Sequence, residues 1–249
     1  MKELKISAVS YLNTFPFVYG IQKSGFLKNF RLELDIPKVC ALKLKDKKVD
    51  IALVPVGALP DFDHYHFVSN DCIGAVGPVK TVLLLSKSPL EKIAQVHLDY
   101  DSRTSVQLVK VLAKHYWGIA PDWQDLAAGQ ASAQPSVEAL VAIGDKTFEL
   151  RQHFPYVYDL AEEWIRFARL PFVFAVWISN EQLPPELTTP FCQALTWGLD
   201  RKAGSLEFFK EKLPVCEDCL GYLEKNISYA FDEQKKEGLS KFLGYFFAG

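Results

Sequence analysis

Polar side chains collect in four short segments that border predicted strands, and these segments hold the residues best suited to contact a ligand. The segments are residues 10–14, 81–86, 102–105 and 144–145. In parallel α/β sheets, small ligands bind beside the carboxyl ends of the strands and the first turns of the following helices. The four segments therefore predict one binding site for a small polar molecule.

The segment Ser102-Arg103-Thr104-Ser105 is the best suited to an anion, because it opens a predicted helix. The first N–H groups of a helix lack partners within the helix, and the helix dipole favours negative charge there. Three hydroxyl groups add donors, so the segment predicts a carboxylate or phosphate site. Two alternatives stay open: Ser102 could simply cap the helix, and Arg103 could point into solvent.

Five residues in the other segments are candidate ligand contacts: Ser10, Asn13, Thr81, Ser86 and Asp145. Helix capping would equally explain Asn13, and it would also explain an acidic residue such as Asp145 just after a strand. The four segments contain no histidine, no cysteine and no pair of carboxylates, so they lack a nucleophile with its base. From the residues alone, the prediction stops at a protein that binds a small anion.

The motifs give no support for a cofactor or a metal. The sequence lacks the glycine-rich patterns G-x-G-x-x-G and G-x-x-x-x-G-K, so no nucleotide cofactor is predicted. Cys216 and Cys219 form a single C-x-x-C pair, and a zinc site would need two more ligands. A metal or redox role for this pair stays an open alternative. The five cysteines, odd in number and widely spaced, indicate reduced thiols in the cytoplasm.

The elements that must position these residues alternate between strands and helices. Strands are predicted at residues 5–9, 30–36 and 49–59, with a helix after each of the first two. This β-α-β-α-β order is typical of a parallel sheet with helices on its faces. The stretch 184–249 predicts helices only.

Two later apolar segments, residues 81–87 and 172–180, predict strands that are buried on both faces. A chain that leaves one lobe, builds a second and returns must cross twice, so we interpret these strands as the crossovers. The predicted lobes are residues 1–85 with 180–249, and residues 86–179. The ligand cleft is expected between them.

The overall composition excludes several classes of function. Lysine and arginine total 28 against 30 acidic residues, and no cluster of basic side chains predicts a nucleic-acid surface. No segment reaches the ~18 uncharged apolar residues of a membrane span, and the first residues lack the pattern of a secretory signal. We therefore expect a cytoplasmic protein whose partner is a small molecule, and a homodimer stays open.

Six segments, in order along the chain, resemble a known family. They are AVSYLNTFPFVYG, DIALVPVGAL, IGAVGPVKTVLLLSKSPL, VHLDYDSRTSVQLVKVL, AIGD and DLAEEWIRFARLPFVFAVW. Together they resemble the chorismate dehydratases of the futalosine route to menaquinone. The resemblance implies a type II periplasmic-binding-protein fold. It also implies an enzyme without metal or organic cofactor that converts chorismate into 3-[(1-carboxyvinyl)oxy]benzoate and water.

The resemblance implies roles for individual residues. The asparagine of the family's Y-L-N motif falls on Asn13, and a hydroxyl residue of the family falls on Thr81, so both are expected at the reacting end of the substrate. Family members commonly carry serine at the second position, and threonine keeps the hydroxyl. Family members often carry glycine where this chain has Ala161.

The identity of the base is a separate hypothesis. We expect the enolpyruvyl carboxylate of the substrate to take the proton, because the motifs offer few basic side chains. Asp145 is the alternative, acting through a water, while Asp99 and Asp101 are expected to brace the loop before the helix. Two other functions stay open: the sister enzyme that forms 1,4-dihydroxy-6-naphthoate, and a non-catalytic receptor for a small carboxylate.

Overall fold

The strands form two separate sheets in the computed structural model, which describes residues 3–99, 103–126 and 137–247. The spatial order is β11-β4-β10-β3-β1-β2 in the first sheet and β7-β6-β8-β5-β9 in the second. The strands are Leu4–Val9 (β1), Phe30–Asp35 (β2), Ile51–Pro55 (β3), His66–Ala75 (β4), Val82–Ser86 (β5), Gln95–Leu98 (β6), Asp122–Asp125 (β7), Ala139–Ile143 (β8), Tyr156–Asp159 (β9), Phe172–Ser179 (β10) and Ser228–Ala230 (β11). The predicted α/β class is confirmed.

Helices pack around the sheets and join their strands. They are Phe15–Lys23 (α1), Pro37–Lys45 (α2), Arg103–Leu112 (α3), Thr147–Leu150 (α4), Leu160–Ala168 (α5), Pro185–Leu199 (α6), Lys202–Phe208 (α7), Cys219–Gly221 (α8) and Glu233–Phe247 (α9). Among the described residues, no helix is both long enough and apolar enough to cross a membrane.

The first three strands form the parallel part of the first sheet, as the alternation of elements predicts. β1 pairs parallel with both β2 and β3. Pro16 and Pro37 stand in the first turns of α1 and α2, where a missing N–H group costs no hydrogen bond. Every residue of β3 is buried, as expected of a strand covered on both faces.

The second sheet mixes strand directions, and this decides which residues reach the cleft. β6 pairs parallel with β7 and β8. β5 runs antiparallel to both of its neighbours, β8 and β9. The carboxyl end of β8 and the amino end of β5 therefore lie at the same edge of the sheet.

The chain passes between the sheets twice, but at other residues than the sequence predicts. β5 belongs to the second sheet and β10 lies in the middle of the first, so the passages are residues 76–81 and 160–171. The predicted boundary at residue 85 places most of β5 in lobe one, and the boundary at residue 180 places β10 in lobe two. Each boundary therefore separates a strand from the sheet to which it belongs. Both strands are buried, and burial alone does not distinguish a strand that crosses from one in the centre of a sheet.

The carboxyl-terminal region is mainly helical, as predicted, with one exception. β11 pairs antiparallel with β4 at the edge of the first sheet. The prediction of helices alone was wrong here, because three residues are too short a run for an alternating pattern to stand out. The strand fixes Tyr229 against the site described next.

Candidate functional site

A cavity of about 60 Å³ lies between the two sheets. Its lining is apolar apart from a few hydroxyl groups and one amide. The lining residues are Val9, Tyr11, Asn13, Thr14, Pro37, Leu53, Pro55, Ile73, Val79, Thr81, Val82, Thr104, Ser105, Ile143, Gly144, Phe174 and Ala175. None of the described lining residues is an aspartate, glutamate, histidine, lysine, arginine or cysteine.

Strand direction explains which predicted residues meet at the cavity. Asn13 follows β1, and Gly144 follows β8, so both stand at carboxyl ends that face the cleft. Thr81 precedes β5, whose antiparallel direction brings its amino end to the same place. Ser86 ends that strand and so lies at the opposite edge of the sheet.

Four of the predicted contacts do not line the cavity: Ser10, Ser86, Arg103 and Asp145. Ser86 is buried, and its hydroxyl donates to the carbonyl of Ser88 (2.8 Å) and accepts from the Ser88 N–H (3.1 Å). The prediction assumed that β5 runs parallel to its neighbours, which would have put Ser86 at the cleft. Ser10 is exposed, and its N–H donates to Asp35 in the neighbouring strand. Ser102 and Asp101 lie outside the described residues.

The start of α3 supplies the hydroxyls predicted for an anion site. Thr104 and Ser105 are both almost fully buried and line the cavity. The Thr104 hydroxyl accepts a hydrogen bond from the Gly57 N–H at 3.0 Å, and a hydroxyl that accepts can also donate its own hydrogen. A Cβ atom at Gly57 would lie 2.8 Å from the Thr104 backbone, so only glycine allows this approach.

Asn13 and Thr81 belong to one hydrogen-bonded cluster. The Thr81 hydroxyl lies 2.8 Å from the hydroxyl of Tyr222, which the Asn13 amide also contacts. Asn13 Oδ1 accepts from the Thr14 hydroxyl (3.1 Å), and the Asn13 carbonyl accepts from the hydroxyl of Tyr229 (2.9 Å). Burial raises the pKa of both tyrosines, so they stay protonated.

Asp145 joins the two sheets instead of lining the cavity. Its two carboxylate oxygens accept the Leu12 N–H at 3.2 and 3.1 Å. Burial raises the pKa of Asp145 to about 6, and the hydrogen bond from Leu12 opposes that rise. Beside it, Gly144 adopts a φ of 71°, and the Tyr11 ring lies so close that a Cβ atom would meet it at 2.9 Å.

A second cavity of about 300 Å³ opens beside the first, and the two share Pro55. Arg103 lines it and forms an ion pair with Asp61 across the cleft. Arg103 thus faces the cleft and not bulk solvent alone. Asp99 also lines it, and its carboxylate pairs with Lys146 at 2.6 Å and accepts the Ile143 N–H at the end of β8. The loop that Asp99 is predicted to brace, residues 100–102, lies outside the described residues.

Sequence reasoning missed several residues of the site. Tyr11 and Thr14 belong to residues 10–14, one of the four polar segments, so their position in the sequence could have indicated them. Gly57 and Tyr222 had no such signal. Gly57 belongs to an apolar segment, and Tyr222 reaches the site from a part of the chain 141 positions after Thr81.

Metal ligands do not cluster in the described part of the chain: no group of three or more histidine, cysteine or acidic side chains could hold an ion. Cys216 and Cys219 are free thiols at the two ends of a turn. Burial raises the pKa of Cys219 to about 12, so this thiol is protonated at neutral pH.

Comparison with known sequences gives matches that span nearly the whole chain. A family model described as menaquinone biosynthesis matches residues 4–248. A chorismate dehydratase from Thermus thermophilus is 27% identical over 271 aligned positions, which cover 97% of this chain and 94% of the relative.

Solved structures with the same fold include periplasmic binding proteins. A structural-genomics protein from Archaeoglobus fulgidus has a TM-score of 0.72 at 12% identity and covers 99% of this chain and 97% of its own. The alkanesulfonate-binding protein SsuA from Xanthomonas axonopodis has a TM-score of 0.66 at 15% identity, with 99% and 92% covered. The predicted periplasmic-binding-protein-like fold is confirmed.

Proposed function

Because the chain belongs to the menaquinone-biosynthesis family, whose model spans residues 4–248, we propose that it is a chorismate dehydratase. The relative from Thermus thermophilus carries that name. The observation that carries the proposal is the lining of the cavity, where hydroxyls and one amide surround the first turn of α3 without a charged side chain. Such a lining suits a carboxylate-bearing substrate that needs positioning more than a strong base.

The proposed reaction is the elimination of water from chorismate to give 3-[(1-carboxyvinyl)oxy]benzoate, which makes the protein a hydro-lyase. The C–H bond of the ether-bearing ring carbon and the C–O bond of the neighbouring ring hydroxyl break. The proton and the hydroxide leave as water, so no oxidant, reductant or cofactor is consumed. The ring becomes aromatic, which drives the step, and a site that fixes the ring lowers the barrier by orientation.

The substrate itself supplies the base in this proposal. A general base must lie within hydrogen-bond reach of the proton, and no described residue that lines the cavity carries a carboxylate or an imidazole. The enolpyruvyl carboxylate takes the proton and passes it to the departing hydroxide, which restores the carboxylate. Asp145 is the alternative base, but its oxygens accept the Leu12 N–H.

Two experiments distinguish the enolpyruvyl carboxylate of the substrate from Asp145 as the base. Asp145→Asn is expected to keep a measurable share of the turnover, because asparagine still accepts the Leu12 N–H. A chorismate analogue without the enolpyruvyl carboxylate is expected to bind and not react. Efficient turnover of that analogue would exclude the substrate as base, and so would complete loss of activity in folded Asp145→Asn.

The first turn of α3 holds one substrate carboxylate in the proposal. The backbone N–H groups and hydroxyls of Thr104 and Ser105 are buried beside the cavity, where the helix dipole favours an anion. Arg103 stands next to them in the outer cavity and approaches the second carboxylate once its ion pair with Asp61 opens. Asn13 and Thr81 contact the ring hydroxyl that leaves.

We also propose that the protein acts in the cytoplasm. All five cysteines are free, and the buried Cys40 and Cys72 are inert thiols whose pKa values burial raises to about 12. Unpaired thiols are ordinary in a reducing compartment. The substrate is a small molecule, and the open question of a homodimer is decided by the mass of the protein in solution.

The direct test is to incubate the purified protein with chorismate and follow the ultraviolet spectrum. The expected result is an aromatic product whose mass equals that of chorismate less one water, with much slower formation by Asn13→Ala. Binding of chorismate without conversion would instead indicate a receptor. Formation of 1,4-dihydroxy-6-naphthoate from its own precursor, with no reaction of chorismate, would indicate the sister enzyme.

A further inference from the structure

Tyr222 lies directly behind the cavity without lining it. Its side chain is only 3% exposed, and its ring packs edge-on against Phe148 with 5.3 Å between the ring centroids. Its hydroxyl lies 2.8 Å from the hydroxyl of Thr81 and also contacts the Asn13 amide. One buried hydroxyl therefore connects the two side chains proposed to act on the leaving group.

The segment around Tyr222 is fixed to the chain that carries Thr81. Tyr222 opens a π-helical turn that ends at Asn226, and such turns are frequent at functional sites. The Asn226 side chain donates to the Pro78 carbonyl at 2.8 Å, three residues before Thr81. At the other end, the Tyr222 N–H donates to the Asp218 carbonyl at 2.9 Å. Contacts on both sides thus hold the phenol in place.

The hydrogen bond between Tyr222 and Thr81 can form in either direction, because each hydroxyl can both donate and accept. When Tyr222 donates, its single hydrogen goes to the Thr81 oxygen, and the Thr81 hydrogen is left for the cavity that Thr81 lines. In that arrangement the Thr81 hydroxyl is a donor towards the cavity.

We propose that Tyr222 donates its hydrogen bond to the Thr81 oxygen and is thereby a positioning residue for the elimination: it orients the Thr81 hydroxyl as a donor to the departing ring hydroxyl. The proposal rests on the proposed function, since it assigns a role within that reaction. Tyr222 neither touches the substrate nor transfers a proton. The water takes both of its hydrogens from the substrate, one on the leaving oxygen and one from the ring carbon.

The test compares four proteins in steady-state assays with chorismate: wild type, Tyr222→Phe, Thr81→Val and the double variant. Tyr222→Phe is expected to lower kcat about tenfold and to leave KM within about threefold, because removal of a fixed donor acts on the transition state. The double variant is expected to match Thr81→Val, since Tyr222 acts through Thr81. Tyr158→Phe is the control, because its hydroxyl lies on β9 beside the Leu90 backbone.

Tyr222→Phe removes the partner of the buried Thr81 hydroxyl, which can prevent folding of that variant. The double variant provides the test in that case. The double variant removes both polar groups, and paired apolar replacements are tolerated better than single ones. An unchanged kcat in folded Tyr222→Phe would overturn the proposal. So would a double variant with a kcat about tenfold below that of Thr81→Val. A wild type that does not convert chorismate would instead overturn the proposed function, and this inference with it.

Discussion

At the scale of single residues, the reacting end of the proposed site depends on Asn13 and Thr81. Both line the cavity, and both also form hydrogen bonds with neighbouring hydroxyls, Asn13 with Thr14 and Thr81 with Tyr222. In the proposed reaction each donates to the leaving group. A donor aimed at charge that develops in the transition state is typically worth about 10²–10³ in turnover. We expect Asn13→Ala and Thr81→Val to lower kcat in that range and to change KM by much less.

Steady-state kinetics with chorismate check this prediction, and Thr81→Ser serves as the matched control. Serine keeps the hydroxyl and loses only a methyl group, so near-normal turnover is expected. Equal loss of turnover in Thr81→Ser and Thr81→Val would mean that the methyl group matters and the hydroxyl does not. Full activity of Asn13→Ala would remove that side chain from the reaction.

Thr104 and Ser105, in the first turn of α3, are expected to affect the affinity for the substrate instead of the turnover. Their hydroxyls would contact a carboxylate equally before and during the reaction, and uniform binding of this kind appears in KM. A hydrogen bond to a charged group is worth about 1.5–3 kcal/mol. We therefore expect Thr104→Ala and Ser105→Ala each to raise KM by about 10- to 100-fold.

Ser86→Ala is the control for that series, since Ser86 is a buried hydroxyl at the opposite edge of the second sheet. Its KM for chorismate is expected to match that of the wild type. If Ser86→Ala raised KM as much as the two α3 variants, the anion would bind elsewhere. Titration calorimetry with the reaction product gives an independent measure of the same affinities.

At the scale of secondary-structure elements, local patterns predicted most of the fold and part of the site. Alternating apolar residues and proline positions are local signals, so the parallel unit β1-α1-β2-α2-β3 could be predicted from them. Strand direction within a sheet is set by distant partners. The antiparallel pairing of β5 with β8 and β9 therefore left no mark in its apolar sequence, and Ser86 was assigned to the wrong edge.

The same reason explains why Tyr222 and Gly57 escaped the sequence analysis. Each matters through one contact with an element far along the chain: Tyr222 with Thr81, and Gly57 with Thr104. Asn13, Thr81, Thr104 and Ser105 could be proposed from the sequence because ligands of α/β sheets bind beside strand ends and helix starts, and both positions can be predicted from local patterns. Periodicity reports how an element is buried, and it does not report which element buries it.

The contact between Gly57 and the start of α3 gives a prediction at this scale. A Cβ atom at residue 57 would lie 2.8 Å from backbone atoms of Thr104, so alanine must push α3 away from the first sheet. We expect Gly57→Ala to lower kcat/KM about tenfold or more, because small displacements of a positioned group are costly. Gly244→Ala is the control, since a Cβ atom there meets nothing within 4 Å. Unchanged kinetics of Gly57→Ala would show that this close approach is not needed.

The buried Asp145 carboxyl group, which accepts the Leu12 N–H, predicts that the stability of the protein depends on pH. The pKa of Asp145 is raised from 3.8 to about 6 in the folded protein, so its contribution to stability is complete below pH ~4 and decreases as the pH rises through about 6. Asp145→Asn keeps an acceptor for the Leu12 N–H and cannot ionise. The melting temperature of the variant minus that of the wild type is therefore expected to increase between pH 4 and 7.

Calorimetry across that pH range isolates Asp145, because every other titrating group is the same in both proteins. A difference in melting temperature that does not change with pH would contradict the raised pKa. A difference that decreases with rising pH would mean that the ionised carboxylate is the more stable form in the fold.

At the scale of the whole molecule, the inner cavity is small for the proposed substrate. It measures about 60 Å³, whereas sites for small molecules usually measure about 300–1,000 Å³. Three contacts join elements of the two sheets beside it: Leu12 with Asp145, Gly57 with Thr104, and Arg103 with Asp61. We therefore expect these contacts to open when a substrate as large as chorismate enters. The passages at residues 76–81 and 160–171 are the places where the chain could bend.

Amide hydrogen exchange can detect this opening, because two of the closing contacts are backbone N–H groups. Leu12 and Gly57 donate across the cleft, so their amides lose their partners when the sheets separate. The amides of Ser10 and Lys87 are matched controls, since each donates to a carbonyl on its own side, Asp35 and Glu138 respectively. We expect the product of the reaction to slow exchange at Leu12 and Gly57 by about tenfold and to leave the two controls nearly unchanged.

Ligand binding favours the closed state by its difference in affinity for the two states, so equal protection of all four amides would indicate general stabilisation without closure. No protection at Leu12 or Gly57 by saturating product would mean that the ligand occupies a state in which the sheets stay apart.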